Sequence, residues 1–199
     1  HSTSRRQRQM CIRDRHEGMS LNMLRLHPTQ DYETPYEYDT DGFTERWWHS
    51  PFITETIEEQ KGNDYWSFQE EEKENVRAWL EKITLDDCYT HLIPSSTATK
   101  ISFFEVRQSY RRLGYGTAAI GMSISHYSNQ LIAAFPVDEA ADAFWHSVGF
   151  IYQPRKDGTD RRDSVPQRYS PLFIYDNRQD VTADYPCLLY TSPSPRDRQ

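Results

Sequence analysis

The sequence predicts an α/β domain, and three observations carry that prediction. Between residues 100 and 175 the elements run strand, helix, strand, helix, strand, strand. The chain has 199 residues, 36% hydrophobic and 27% charged, which suits one packed domain that needs no disulfide staple. No apolar run approaches the ~20 residues of a membrane helix, and no signal-peptide pattern is visible, so no membrane partner is expected.

The elements follow in order. Asn22 to His27 reads as an opening strand, and Thr29 to Gly42, rich in Asp, Thr, Tyr and Pro, as loop. Trp47, Trp48, Phe52, Ile53 and Ile57 suggest a short amphipathic helix interrupted at Pro51. Glu70 to Ile83 reads as a longer helix, because Val76, Trp79, Leu80 and Ile83 fall at i, i+3, i+4 and i+7. Its Glu70–Glu74 run is then a solvated face near a helix start, or an attractor for a cationic substrate. Lys100 to Arg107, dominated by β-branched and aromatic residues, is a strand. Tyr115 to Tyr127 is a helix with Ile120, Ile124 and Tyr127 on one side, and Leu131 to Phe135 a short buried strand. Asp138 caps the helix Glu139 to Ser147, Gly149 ends it, and Phe150–Gln153 and Leu172–Tyr175 are two last strands. The crossover from the first of these strands to the next is expected to be parallel.

Both ends lack any hydrophobic period. Codons that can encode Met10–Arg15 are, in a shifted frame, the reverse complement of codons for Cys187–Ser192. Such an inverted pair resembles translated sequencing-adapter DNA, so residues 1–15 and 187–199 are expected to be artefactual tails around one domain over 16–180. Seven of the 23 basic residues and two of the 30 acidic ones lie in those tails, so the interior is more acidic than the whole-chain net charge of -7. That balance argues against a phosphate-backbone partner, and no nucleic acid is expected. Between the tails only Cys88 remains of the three cysteines, which gives neither a disulfide framework nor a metal cluster and fits a reducing cytoplasm.

The chemically informative stretch is Val106 to Thr117, where a strand ends, Arg111 and Arg112 follow, and Gly114 and Gly116 open a helix. First-turn N–H groups have no partner within a helix, and the dipole adds positive charge there, so a diphosphate can settle on them. Glycine at 114 and 116 removes the Cβ atoms that would hold an oxyanion off and permits positive φ; the plain alternative is tight packing at a helix start. No Gly-Lys-Ser/Thr follows, and position 119 is Ala, so neither a P-loop nor a dinucleotide fingerprint is present.

The run Arg111-Arg112-Leu113-Gly114-Tyr115-Gly116 resembles the acyl-CoA signature of the GNAT N-acetyltransferase superfamily. A second block, Asp138 to Phe150 with Trp145 and Gly149, is similar to that superfamily's fourth helix and following strand, and Pro171-Leu172-Phe173 to a strand near its end. The likeness, closest to small bacterial members, covers residues 99–176 and leaves 16–98 poorly placed, with Cys88 to Ile93 a candidate for a missing strand. It implies a mixed sheet whose strands Ile101–Val106 and Leu131–Phe135 splay apart. Acetyl-CoA would be the co-substrate, with no metal. Its pantetheine would bond main chain near Phe104 and Val106, and its pyrophosphate would rest on amides from Arg111 through Leu113, Gly114, Tyr115 and Gly116 to Thr117. Asp138 and Trp145 would complete the cofactor set.

The implied reaction is direct attack of a primary amine, on a small molecule or peptide, on the thioester. Glu105 is the first candidate for the base, because burial in an apolar strand would raise its pKa; the alternatives are an exposed strand-edge carboxylate or an ion pair with an arginine. His91 and His146 are runners-up. Trp145 stands where the family often has a tyrosine acid; an indole N–H is no practical acid, so Trp145 packs against cofactor or core, and Tyr152 is a substitute. Trp47, Trp48 and Trp66 are candidates for pocket or core. The rival readings are a non-catalytic acyl-CoA-binding module and an unrelated anion-binding α/β domain. The sequence leaves oligomeric state open, a homodimer included. Sequencing of the source DNA is expected to show adapter repeats flanking the reading frame; unrelated DNA at both ends would make the tails genuine protein.

Overall fold

The computed structural model describes residues 20–26, 41–44, 62–93 and 96–178. Two helices and seven strands build one sheet: β1 (Asn22–Leu26), β2 (Asn63–Glu70), β3 (Lys73–Thr84), β4 (Thr97–Val106), α1 (Tyr115–His126), β5 (Leu131–Ala134), α2 (Glu139–Ser147), β6 (Ile151–Gln153) and β7 (Leu172–Asp176). The spatial order is β1-β2-β3-β4-β5-β7-β6. Only β4 and β5 run parallel; every other neighbouring pair is antiparallel. The expected opening strand, both helices, the parallel crossover and the three last strands are thus present. The two terminal tails and the expected helix around Trp47, Trp48 and Ile57 lie outside the described residues.

The expected helix over Glu70–Ile83 is corrected: these residues form the β2–β3 hairpin. Glu70 faces Lys73 across a two-residue turn in which Glu71 (φ 51) and Glu72 (φ 62) are both left-handed. Paired left-handed residues match the twist of the flanking strands. The helical spacing misleads for a physical reason. Residues 74 to 78 of β3 are buried on both faces, and register shifts at Phe68/Gln69 and Trp79/Leu80 break the two-residue alternation. The Glu run is accordingly a turn, and Glu74 is buried beside Arg77 at 3.0 Å, with no solvated helix face.

A second correction concerns Cys88 to Ile93, which is no sheet strand. Its backbone bonds instead to the loop after β6, through Thr90 N to Pro154 O (2.9 Å) and Lys156 N to Cys88 O (2.9 Å), with one bridge between Tyr89 and Arg155.

The two faces of the sheet are covered differently. On one, α1 and α2 pack Ala119, Ile120, Ile124 and Trp145 against Trp66, Phe68, Val76, Ala78, Ile132 and Phe173. On the other, Leu85 and Tyr89 cover Ala98, Leu131, Ala133, Leu172 and Ile174. Asp138 caps α2 by accepting from Ala141 N at 2.8 Å, and Gly149 follows in the left-handed conformation (φ 93). Trp66 belongs to the core, its Nε1 donating to Tyr127 Oη at 2.8 Å.

Non-glycine residues are strained in the left-handed region. Glu71→Asn together with Glu72→Gly is therefore expected to stabilise the hairpin by about 1 kcal/mol. The gain would be read as a higher urea midpoint at unchanged slope.

Candidate active site

The site begins where β4 and β5 part. Their pairing runs from Ala98↔Leu131 to Ile101↔Ala134 and stops, while β4 continues to Val106 beside β3. Arg107 N donates to Asn75 O (2.9 Å), so Arg107 and Glu105 turn their main-chain groups toward β3. The intervening groups of Phe104 and Val106 face the gap. The splay expected of Ile101–Val106 and Leu131–Phe135 is present, and Phe104 and Val106 stand on its β4 side. Val106 O is partly engaged, because Arg111 Nε donates to it at 3.0 Å.

The turn after β4 supplies the anion-facing groups. Arg111 is extended, Arg112 left-handed (φ 64) and Gly114 left-handed (φ 92) as the residue before α1. Alternation of this kind turns successive N–H groups to one side. Arg111 N bonds Gln108 O at 3.3 Å, and the first capped bond of α1 is Ala118 N to Gly114 O at 3.0 Å. Between them, the amides of Arg112, Leu113, Gly114, Tyr115, Gly116 and Thr117 have no acceptor among the described residues. Such a row at a helix start fits a diphosphate. The two glycines divide the labour differently from the expectation. Gly114 serves the left-handed turn. A Cβ on Gly116 would stand 3.1 Å from Val106 Cγ2 and 3.4 Å from Phe144 Cε2, so that glycine lets α1 close on the sheet.

Glu105 sits on the opposite face of β4 from Phe104. Its Oε1 accepts Thr44 N at 2.8 Å and lies 3.5 Å from Arg111 Nη2; its Oε2 is buried without a hydrogen bond. It is no exposed edge carboxylate, and it does form the ion pair with an arginine that stood as an alternative, to Arg111. Next to it lies a polar layer absent from the sequence reading. Arg77 is fully buried opposite Glu105 in register, and Arg107 Nε donates to Glu74 O at 2.7 Å. Burial pushes the Glu74 carboxyl above its ordinary range, and the Arg77 guanidinium opposes that rise. Polar residues within otherwise apolar strands, Arg77 on β3 and Glu105 before Arg107 on β4, are the signal that could have found the layer once β3 is read as a strand.

The remaining candidates scatter. Trp145 is buried in an aromatic cluster with Phe104, Phe144 and Phe150, at ring distances of 5.8, 5.1 and 4.9 Å. Asp138 is an exposed helix cap, and Leu113 is exposed beside the turn. The Tyr115 hydroxyl donates to Glu70, and that bond holds the phenol up at about 12. Tyr152 is on the outer strand β6; burial and its 3.0 Å bond to Asp160 raise its phenol to about 12. His91 is exposed in the 85–93 loop, and His146 packs edge-on against Phe173 at 5.2 Å. The structure therefore brings together Glu105, Arg111, the 112–117 amides and the gap, and leaves both histidines and Tyr152 elsewhere. Among the described residues no group of three His, Cys, Asp or Glu side chains could hold a metal.

No protein-family model matches the sequence, and no curated protein matches it. Solved structures do match the fold. "AtaT complexed with acetyl-methionyl-tRNAfMet" aligns at TM-score 0.54 and 13% identity over 77% of this chain and 94% of that one. The Bacillus subtilis N-acetyltransferase YlbP with coenzyme A aligns at 0.51 and 16% over 78% and 96%. A KacTA–DNA complex aligns at 0.52 and 13% over 79% and 94%. The fold is that of the GNAT acetyltransferases: a mixed α/β sheet with splayed central strands.

These neighbours correct one expectation. Two proteins of this fold were solved with tRNA or DNA, so the exclusion of nucleic acid does not stand. Its physical flaw is that net charge averages over the whole chain, whereas a partner meets one surface. No helix among the described residues is long and apolar enough to cross a membrane.

Gly116→Val is expected to destabilise the protein by about 1–3 kcal/mol through overpacking against Val106 and Phe144. Urea unfolding measures it, and a variant as stable as the parent would contradict the close helix–strand approach.

Proposed function

We propose that the protein transfers an acetyl group from acetyl-CoA to a primary amine. The observation that carries this reading is the gap beyond Ile101 and Ala134, closed at one end by six amides without an acceptor among the described residues. The groups fit the co-substrate by chemistry. Phe104 and Val106 offer main-chain bonds to an amide-bearing arm, as an added strand would find them, and the 112–117 amides offer donors to a diphosphate. When bound, acetyl-CoA supplies a thioester carbonyl open to a nucleophile.

The chain's own residues do the rest. The Glu105 carboxylate accepts a proton from the incoming amine, its orientation held by the Thr44 N bond to Oε1. The two reactants meet by positioning, and the departing thiolate takes its proton from solvent, because Trp145 lies in the core and Tyr152 is bound to Asp160 on β6. The amine's carrier is a small molecule, a peptide or an RNA; the acidic balance favours a cationic acceptor without excluding RNA.

Acetyl-CoA is expected to raise the melting temperature, and Gly114→Glu to abolish that shift by placing a side chain and a negative charge at the left-handed turn. With polyamines, aminoglycosides, lysine peptides and aminoacyl-tRNA offered as acceptors, Glu105→Gln is expected to lower kcat about 100- to 10,000-fold. Binding without release of free CoA across that panel would support the non-catalytic module. Equal stabilisation by a nucleoside diphosphate would support the plain anion-binding domain.

A further inference from the structure

Residues 41–44 are a short described island far from β4 in sequence, yet they lie on its end. Gly42 is left-handed (φ 81), and a Cβ there would stand 3.1 Å from Arg107 Cγ, so the backbone is pressed against the arginine stem. Gly42 O accepts Gln108 N at 2.9 Å, and Asp41 O accepts Arg107 Nη1. The Phe43 ring is shared by two guanidinium groups, Arg77 Cζ at 3.6 Å and Arg107 Cζ at 4.7 Å from its centroid. Two guanidinium groups against one ring fix its position, and the next residue follows directly from it. That residue is Thr44, whose N–H donates to Glu105 Oε1.

We propose that residues 41–44 form a strap that orients the Glu105 carboxylate, with Phe43 as its positioning residue and Arg77 and Arg107 as its clamp. This rests on the reading of Glu105 as base and adds what aims it. One carboxylate oxygen, Oε1, is tied to Thr44 N at 2.8 Å and lies 3.5 Å from Arg111 Nη2, so the plane of the carboxylate is fixed from the strap side. The clamp also joins the base to the anion-facing turn, since Arg107 and Gln108 bind the strap and open the turn that carries Arg111.

The test reads the strap directly. In the isotope-labelled full chain, the Thr44 amide proton should be shifted downfield by its carboxylate acceptor, and Glu105→Gln should move it upfield. Phe43→Ala should move it the same way, leave acetyl-CoA affinity unchanged and lower kcat about 10- to 100-fold. Phe43→Trp should restore both. If Phe43→Ala does not fold, Phe43→Leu, which keeps apolar bulk but loses the ring face, gives the same readout. A Thr44 resonance indifferent to both Phe43 and Glu105 substitutions overturns the strap. A Thr44 response as expected, with Glu105→Gln turning over at the parent rate, upholds the strap and removes Glu105 as base.

Discussion

The structure depends on the point where a parallel strand pair stops pairing. Through Ile101 and Ala134 the ladder between β4 and β5 is intact, and beyond them β4 keeps only its β3 partner. A strand inside a sheet normally spends its main-chain donors and acceptors on both neighbours. Here Phe104 and Val106 spend theirs on neither strand, at a position central to a seven-stranded sheet. The remainder of the site follows from that geometry. The chain leaving β4 must turn beside the gap, and α1 begins there with its unspent amides. The missing side chain of Gly116 lets the helix close on Val106. The opening is thus a consequence of how one strand ends, fixed by packing on its two flanks.

Those flanks have opposite character. The helix-covered face is apolar and aromatic, and it holds Phe104 and Trp145 close beneath the gap. The reverse face of the same strands carries Ser67, Gln69, Glu74, Arg77, Glu105 and Arg107, all buried. Buried charge costs several kcal/mol per group unless it is paired or bonded. This layer meets that cost with a Glu74–Arg77 pair and with two guanidinium groups on one phenyl ring. A protein with no use for polar groups at that place would be expected to fill it with hydrocarbon.

How far the sequence reveals this divides along physical lines. From Lys100 onward each element carries a local signal: β-branched strand residues, a capping aspartate, a terminating glycine, and an Arg-Gly turn at a helix start. Those signals act within one element, and the structure agrees with them. The β2–β3 hairpin carries a conflicting signal. Its strands are buried on both faces and carry bulges, so the two-residue period disappears and a helical spacing survives by accident. Read as a helix, β3 hides the alternation that would have placed Arg77 opposite Glu105. Gly42 was legible only as loop and Phe43 carried no signal, because their partners Arg77, Arg107 and Gln108 lie far along the chain. Asp138 caps α2 and Trp145 packs in the core beside Phe104, the local roles their sequence positions suggested.

The charge of the chain shows the same contrast between global and local information. An overall charge of -7 describes long-range steering, which ions screen within about 8–10 Å. What a reacting group meets is set at shorter range. Around the gap, Arg111 and Arg112 stand with six unspent amides on one side, and Glu105 is tethered on the other. Arg111 touches both the turn and the carboxylate, through Val106 O and Glu105 Oε1. An acidic chain can therefore still offer donor groups to an anion on one face of β4 and a buried carboxylate on the other. The acceptor's carrier is then chosen by surfaces outside this strand, where the average charge says little.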